Sequence, residues 1–288
     1  MAPEGPLTGI KVLDLCTARS GPSCVRILSD MGAEVVQVVR PSAASLDTRL
    51  SYFDHENLHR NKRSVIIDLQ KPEGVAVFMR LVKDSDVVVE NYRPDVKGRL
   101  GIDYLSLSAV NPRIILGSIS GFGQDGPYAR RPGVDQIIQG MGGIMSVTGP
   151  PGSGPWRAGV AISDLTAGNH LAQGILAALF ERERSGKGQW VRTSLLEAMI
   201  AMMDFQMTRW LIAHEVSEQA GNNHPTVFPS GVFETSDGHI SIAATSDRMF
   251  VDFMKALSMP EVLEDERFAT RSNRTENKEL IRALVIPV

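Results

Sequence analysis

The sequence has few of the residues and motifs that mark several common classes of protein. Its 288 residues include two cysteines, Cys16 and Cys24, and no CxxC pair. Two cysteines are too few for a disulfide framework, and no Cys/His cluster indicates zinc. No GxSxG elbow and no Walker A loop occur, and the first βα turn, TARSGPS, lacks GxGxxG. We therefore expect no metal site and no permanently bound cofactor.

Charge and hydropathy narrow the possible partners. The 30 basic and 33 acidic residues are mixed along the chain and give a net charge of -3, so we expect neither nucleic acid nor a membrane as a partner. The longest apolar region, 195–214, contains Glu197, Asp204 and Arg209 and is predicted to be a buried helix. With few cysteines and no signal-peptide pattern at its start, the protein is expected to be cytoplasmic.

The order of apolar and helical segments predicts an α/β fold. Strands at 10–15 and 34–40 flank a helix at 23–33, which makes a βαβ unit with a parallel sheet. The alternation continues with strands at 64–69, 86–92 and 113–120, separated by helices at 72–85 and 102–110. This pattern predicts a Rossmann-like, doubly wound parallel sheet that binds ligands at the carboxyl ends of its strands.

The remaining sequence adds a long helix and a second, smaller domain. We predict a helix at 165–184, a strand that leads into a helix at 190–200, a hairpin at 232–245 and a helix at 248–259. Asp237 and Gly238 are predicted to form the hairpin turn. We expect a large domain over 1–225 and a small α+β domain over 226–288.

Two loops at predicted strand ends can hold a ligand. The turn at 17–23 can present backbone N–H groups at the start of the following helix. The loop GFGQDGPY, 121–128, contains three glycines, which allow a sharp turn or a close approach of the backbone to a ligand. Both loops can equally be plain connections, and the sequence leaves the two interpretations open.

Asp164 is the candidate reactive group, because it is an ionisable residue within a run of small and apolar residues, RAGVAISDLTAG. Its simplest role is that of a helix N-cap, which aspartate favours. Ser163 can take that role instead and leave Asp164 in the first helical turn, where the helix dipole favours the charged form. A carboxylate held ionised in an apolar wall is suited to act as a covalent nucleophile.

Seven segments in order resemble the class III CoA-transferases, the family of formyl-CoA transferase and carnitine CoA-transferase. They span residues 9 to 192 and are GIKVLDL with the SGPSC turn, MGAEVVQVVRP, NKRSVIIDLQKPEG, DVVVENYRPDVKGRLGIDY, NPRIILGSISGFGQDGP, GVAISDLTAG and RERSGKGQWV. GNNHP and the hairpin resemble the family's small domain more loosely. The resemblance implies a CoA-transferase whose substrates are an acyl-CoA and a small carboxylic acid.

The resemblance also implies that Asp164 is the catalytic nucleophile. Its carboxylate would attack the donor thioester and form a mixed anhydride, which the released CoA thiolate would convert into an aspartyl-CoA thioester. The acceptor acid would attack this thioester and take the CoA through a second anhydride. An unperturbed aspartate, with a pKa of about 3.9, is ionised at neutral pH, and N–H groups of the glycine loop at 121–126 can stabilise the oxyanion.

Further site residues carry over from the resemblance. The expected CoA-binding residues are Arg40, Leu69, Lys71, Asn91, Tyr92, Arg99 and Leu100, and the expected acid-binding residues are Arg19, Ser20, Gly121 and Gly123. Arg40 can meet phosphates or stack on adenine, whereas Lys71 and Arg99 can equally be solvated surface charges. Arg19 stands where formyl-CoA transferase has glutamine and can bind a second carboxylate bidentately, which favours a dicarboxylic acid.

Two alternatives stay open. The related α-methylacyl-CoA racemases pair an aspartate with a histidine, but the segment RRPGVDQ, 130–136, contains no histidine, so racemisation is the lesser hypothesis. Asp135 in this segment can interact with a CoA-bound intermediate. The family continues beyond ELIRALVIPV and forms interlinked homodimers, so the resemblance implies a C-terminally truncated chain, which can be a non-catalytic CoA-binding protein. An interlinked homodimer is expected of the full-length protein.

Overall fold

A computed structural model describes residues 4–41 and 52–285. The chain divides into two compact units, the first of Met1–Ile144 and Arg157–Leu211 and the second of Met145–Trp156 and Ile212–Val288. The expected domain boundary at residue 226 stays a prediction. The second compact unit includes the residues from Ile212 onward. Among the described residues, no helix is both long and apolar enough to cross a membrane.

Six parallel strands form one sheet in the first unit. They are β1 (Lys11–Asp14), β2 (Glu34–Val39), β3 (Lys62–Ile66), β4 (Val87–Glu90), β5 (Ile115–Ser120) and β6 (Trp190–Ser194). Their order in the sheet is β3-β2-β1-β4-β5-β6, which is the order of a doubly wound Rossmann fold. The predicted fold class is therefore confirmed.

Helices cover both faces of this sheet. The α-helices that begin in the first unit are α1 (Ser20–Asp30), α2 (Tyr52–His59), α3 (Pro72–Lys83), α4 (Pro94–Arg99), α5 (Tyr104–Val110), α6 (Asp135–Met141), α7 (Ile144–Val147), α8 (Ile162–Ser185), α9 (Leu195–Met202) and α10 (Asp204–Ala213). Successive strand residues point to opposite faces, so Val87 and Ile115 join a buried cluster with α1 and α8, while Val88 and Leu116 join one with α3 and α5.

The second unit has a small core of its own. Its elements are the antiparallel strands β7 (Ser230–Thr235) and β8 (Gly238–Ala243), the helices α11 (Asp247–Ala256), α12 (Arg271–Glu276) and α13 (Lys278–Val285), and two short 3-10 turns. Phe228, Phe250, Met254 and Ile281 are among its buried residues. Because Thr235 pairs with Gly238, the hairpin turn is Ser236 and Asp237, one residue earlier than predicted.

Several predicted elements differ from the observed ones. Residues 195–214 are not one buried helix, because Asp204 has a left-handed φ of 43° at the break between α9 and α10, and α10 contains no buried residue. The third strand lies at Lys62–Ile66 instead of 64–69, and α1 begins three residues before position 23. The helices α2, α4 and α6 were not predicted, since eight residues or fewer give little periodic signal.

A glycine allows α1 and α8 to approach each other closely. A Cβ atom on Gly168 would lie 2.8 Å from the backbone oxygen of Ser20 and 3.1 Å from Cβ of Ser23. The backbone of α1 therefore fills the space that a side chain would need. Asp164 lies one turn before Gly168 along α8, about 6 Å along the axis, so this contact brings the start of α1 close to Asp164.

Gly168→Ala should lower the free energy of unfolding by about 1–3 kcal/mol, because the added methyl group forces the two helices apart. Gly98→Ala is the matched control: Gly98 is also helical, but nothing lies within 4 Å of its Cβ position. That variant should gain about 0.4–1 kcal/mol. Urea unfolding followed by circular dichroism measures both, and equal effects would contradict the role of the α1–α8 contact.

Candidate active site

The site residues predicted from the sequence lie at the carboxyl edge of the sheet. The residues expected to bind CoA or the acids follow five strands: Arg19 and Ser20 after β1, Arg40 after β2, Leu69 and Lys71 after β3, Asn91, Tyr92, Arg99 and Leu100 after β4, and Gly121 and Gly123 after β5. Parallel strands place these ends on one edge. Asp164 joins this edge, because its carboxylate accepts a hydrogen bond from the side chain of Ser20.

Asp164 lies in the first turn of α8, and neither it nor Ser163 is the helix N-cap. The helix begins at Ile162, three residues earlier than predicted, and the N-cap is Ala161, whose side chain makes no capping hydrogen bond. The first N–H groups of a helix have no partner within the helix. An acceptor from elsewhere in the fold is therefore needed.

Asp135, the first residue of α6, is that acceptor. Its Oδ1 accepts hydrogen bonds from the backbone N–H of Ser163 at 3.0 Å and from Ser163 Oγ at 2.8 Å. Its Oδ2 accepts one from Gln139 Nε2 at 2.8 Å and forms an ion pair with Arg157 at 3.3 Å. Both oxygens are engaged by the protein itself, and Asp135 thereby holds the start of α8. A contact of Asp135 with a CoA-bound intermediate stays a prediction.

Gln139 fixes the segment that leads into α8. Its Nε2 also donates to the backbone oxygen of Val160 at 3.1 Å, and its Oε1 accepts from the backbone N–H of Ala158 at 2.9 Å. Two side chains of α6 thus hold the backbone on the N-terminal side of Asp164. The carboxylate is positioned before any ligand arrives.

The surroundings of Asp164 raise its pKa from the ordinary 3.8 to about 6. Burial is the largest cause and the negative charge of Asp135 the second, while the charge of Arg19 and the hydrogen bond from Ser20 lower the pKa in part. The helix dipole favours the ionised form of this carboxyl group, but desolvation outweighs the dipole and the pKa rises. The group is still mainly ionised at pH 7 and is more basic than an exposed aspartate.

The turn that carries Arg19 and Ser20 is held by Asn91. The Oδ1 atom of Asn91 accepts a hydrogen bond from the backbone N–H of Thr17 at 3.0 Å, and its Nδ2 donates to the backbone oxygen of Thr17 at 2.7 Å. The next residue, Ala18, has a left-handed φ of 61°, a conformation that costs an L-residue about 1–2 kcal/mol. The strained turn sets the direction in which Arg19 and Ser20 leave β1.

Arg19 is paired with a residue that the sequence analysis did not select. Its NH2 lies 3.0 Å from Oδ1 of Asp54, and the two side chains are 28% and 26% exposed. Asp54 belongs to the unpredicted helix α2. A guanidinium group has five N–H donors, so this single contact leaves donors that can bind a further carboxylate.

The expected CoA-binding residues differ in their surroundings. Leu69 is buried, and Leu100 and Tyr92 pack against the same apolar cluster. Burial raises the pKa of Tyr92 to about 12, and the positive charge of Arg40 lowers it in part. The cations of Lys71 and Arg99 are exposed and make loose contacts within their own segments, so both are available to a ligand.

The glycine loop after β5 is closely packed at its start. A Cβ atom on Gly121 would lie 2.5 Å from Cα of Gly133, and Gly123 has a φ of 94°. The loop has the spacing GxGxxG, but no helix follows until Asp135, so the arrangement of a dinucleotide-binding turn is absent from it. Within the described residues, the backbone N–H groups of 122–126 donate no hydrogen bond.

A buried ion pair beside this loop was missed by the sequence analysis. Nζ of Lys97 lies 3.3 Å from Oε1 of Glu90, and the side chains are 5% and 1% exposed. Lys97 also donates a hydrogen bond to Oε1 of Gln124 in the glycine loop. The two charges are seven positions apart and sit on different elements, so only the fold reveals that they meet.

A motif with the spacing of metal ligands was also overlooked when no metal site was predicted from the sequence. His55, Glu56 and His59 form HExxH on α2, and the two imidazole rings lie 4.8 Å apart. Such a motif needs a third ligand. Among the described residues, no group of three or more His, Cys, Asp or Glu side chains can hold a metal ion.

Comparisons with known proteins identify the family. The family model described as CoA-transferase family III matches residues 7–286. The chain is 39% identical to the succinate–glutarate CoA-transferase of Agrobacterium fabrum over 97% of its length and 73% of the relative's. It is 35% identical to the acetyl-CoA:oxalate CoA-transferase of Acetobacter aceti over 98% and 74%. The chain belongs to CoA-transferase family III and is a CoA-transferase, as the resemblance predicted.

Solved structures agree with this assignment. A CaiB/BaiF family protein from Brucella suis has a TM-score of 0.84 and 36% identity, with 99% of this chain and 78% of that chain covered. A hypothetical protein from Mycobacterium tuberculosis has a TM-score of 0.87 and 30% identity over the same shares. The expected homodimer and cytoplasmic location stay predictions.

Asp164→Asn should raise the free energy of unfolding at pH 7 by about 3 kcal/mol, at about 1.36 kcal/mol for each unit by which the pKa is raised. A pKa of about 6 in the folded protein, against an ordinary value of 3.8, means that ionisation destabilises the folded state. This cost is fully present above pH 6 and vanishes as the pH falls below 3.8, so the gain should shrink across that window. Urea unfolding at several pH values measures it, and a gain independent of pH would show that Asp164 is not desolvated.

Proposed function

We propose that this protein transfers CoA from an acyl-CoA to a free dicarboxylic acid, with Asp164 as the covalent nucleophile. The observation that carries the proposal is the position of Asp164: a partly buried carboxylate with a raised pKa, beside Ser20 and Arg19 at the carboxyl edge of the sheet. The names of the relatives support the substrate class, since they refer to succinate, glutarate, citramalate and oxalate.

The reaction exchanges one activated acyl bond for another. The Asp164 carboxylate attacks the thioester carbonyl, and CoA leaves as a thiolate, which gives a mixed anhydride. The thiolate attacks the aspartyl carbonyl, frees the donor carboxylate and forms the aspartyl-CoA thioester. The acceptor carboxylate attacks that thioester and again releases thiolate, which attacks the acceptor carbonyl of the second anhydride. Acceptor acyl-CoA and free Asp164 result, with no net transfer of protons.

The raised pKa of Asp164 suits this sequence of steps. With a pKa of about 6, roughly nine in ten carboxyl groups are ionised at pH 7. Nucleophilic strength rises with basicity, so the ionised group is more reactive than an ordinary aspartate. The positive charge of Arg19 and the hydroxyl group of Ser20 keep the pKa from rising further, which preserves the ionised fraction.

The glycine loop supplies donors for the developing oxyanion. The N–H groups of 122–126 have no acceptor within the described residues. Gly121 and Gly123 let the backbone turn sharply at the carboxyl edge of the sheet, where Asp164 also lies. Backbone donors aimed at a tetrahedral oxygen commonly contribute about 2.7–4 kcal/mol to lowering the barrier. We assign this role to the loop as a whole.

CoA extends along the carboxyl ends of β2, β3 and β4. Arg40, Lys71 and Arg99 provide positive charge for phosphate groups, and Leu69, Tyr92 and Leu100 provide the apolar and aromatic surface on which an adenine ring can pack. Asn91 borders this site while its amide holds Thr17. It therefore connects the CoA-binding side of the edge to the turn that carries Arg19.

The first test is labelling and exchange. Intact mass spectrometry after mixing with succinyl-CoA should show a covalent adduct that maps to Asp164. Asp164→Ala should abolish exchange of labelled succinate into succinyl-CoA, because no other carboxylate replaces the nucleophile, while CoA still binds in a fluorescence titration. Exchange at the unsubstituted rate in Asp164→Ala would exclude the mechanism.

Arg19→Gln tests the choice of acid. Loss of a charged hydrogen bond worth about 1.5–3 kcal/mol should raise KM for succinate about 10- to 100-fold, with little change in KM for acetate. Arg26→Gln is the matched control, because Arg26 lies on α1 and, like Arg19, contacts a side chain of α2, that of Asn57 at 2.8 Å. An equal rise for succinate and acetate in Arg19→Gln would contradict recognition of the second carboxylate.

A further inference from the structure

The ion pair between Lys97 and Glu90 is poorly explained by stability alone. Both side chains are almost fully buried, with 3.3 Å between Nζ and Oε1, and burial raises the pKa of Glu90 despite the nearby lysine. Removing two charges from water costs several kcal/mol per ion, and an apolar pair of the same volume is often as stable. Stability alone therefore does not account for this ion pair.

The pair connects two loops at the carboxyl edge. Glu90 is the last residue of β4, and its Oε2 accepts a hydrogen bond from the backbone N–H of Tyr92 at 2.8 Å. Lys97 lies on α4 and donates to Oε1 of Gln124. One end of the network thus orders the turn that we assign to CoA, and the other end reaches the glycine loop.

Gln124 passes the contact into the backbone of the glycine loop. Its Nε2 donates to Ser120 Oγ at 3.3 Å, and Ser120 Oγ donates to the backbone oxygen of Gly123 at 2.8 Å. The next side-chain contact of the loop, between Asp125 and Arg192, is exposed and contributes little, about 0–1 kcal/mol. The partly buried contacts of Gln124 therefore do most to orient the N–H groups around Gly123.

We propose that Lys97 and Gln124 are positioning residues that fix the glycine loop against the CoA-binding turn, with Glu90 holding the lysine in place. The inference rests on the proposed function, because it matters only if the loop binds the reacting carbonyl. The network presents the N–H groups of the loop in a fixed direction when the thioester binds. Neither side chain touches the reacting atoms.

Lys97→Met and Gln124→Leu test this role, with Arg182→Met as the control. Arg182 is as buried as Lys97, with 4% of its side chain exposed, and lies 2.9 Å from Asp86, whose side chain is 26% exposed. Asp86 comes just before β4, so this pair lies at the opposite end of the sheet. The two test variants should lower kcat for CoA exchange about 10- to 100-fold, as expected for misplaced donors. Kd for CoA should stay within about three-fold in both. Arg182→Met should lower the melting temperature and leave kcat within about two-fold.

The double variant separates positioning from general destabilisation. If the two side chains act through one network, Lys97→Met with Gln124→Leu should be no slower than the slower single variant. Independent, multiplying effects would overturn the proposal, as would a kcat within two-fold of the unsubstituted protein in either single variant. If Lys97→Met does not fold, Gln124→Leu alone decides between these outcomes through kcat and Kd.

The same assays distinguish this inference from the proposed function. An unsubstituted protein that forms no Asp164 adduct and exchanges no label overturns the proposed function and this inference with it. An active protein whose Lys97 and Gln124 variants keep full kcat overturns the inference alone. An active protein whose variants lose kcat but keep CoA affinity supports both.

Discussion

The candidate site depends on the hydrogen bonds between Asp135 and the first turn of α8. A helix start needs acceptors for its free N–H groups, and here one comes from α6 instead of from Ser163 or Asp164. Asp164 is thereby released from the capping role that its position in the sequence favours. The same interaction places a second negative charge near Asp164 and raises its pKa. Asp135 thus anchors the segment that carries Asp164, and its charge adds to the larger effect of burial on the pKa of Asp164.

The parallel sheet provides the frame around this interaction. Its strand order brings the ends of β1 to β5 to one edge. Close packing of α1 on Gly168 of α8 brings Ser20 next to Asp164. Two buried ion pairs lie in the sheet and the loops around it, one of Asp14 with Lys62 and one of Glu90 with Lys97. Buried pairs add little stability, but they restrict which loops can pack where.

Sequence patterns predicted the regular parts of the fold and failed at the short and strained ones. The βαβ alternation was readable because local propensity and tertiary packing agree there. Gly32, which follows α1 with a left-handed φ of 98°, is an example, because glycine favours the end of a helix. The helices α2 and α6 were not readable, since each is too short for a periodic pattern. They nevertheless carry Asp54 and Asp135, the partners of Arg19 and Ser163. The break at Asp204 was likewise invisible, because a left-handed aspartate has no reliable local signature.

The sequence by itself determined the α/β class, the family and the identity of the candidate nucleophile, because these follow from periodicity and from motifs in a fixed order. Only the tertiary structure decided the chemical state of that nucleophile. A pKa of about 6 results from burial and from a carboxylate 29 positions away, and local composition does not encode either. The partners of Arg19, Lys97 and Gln124 were decided in the same way, by contacts between elements distant in the chain.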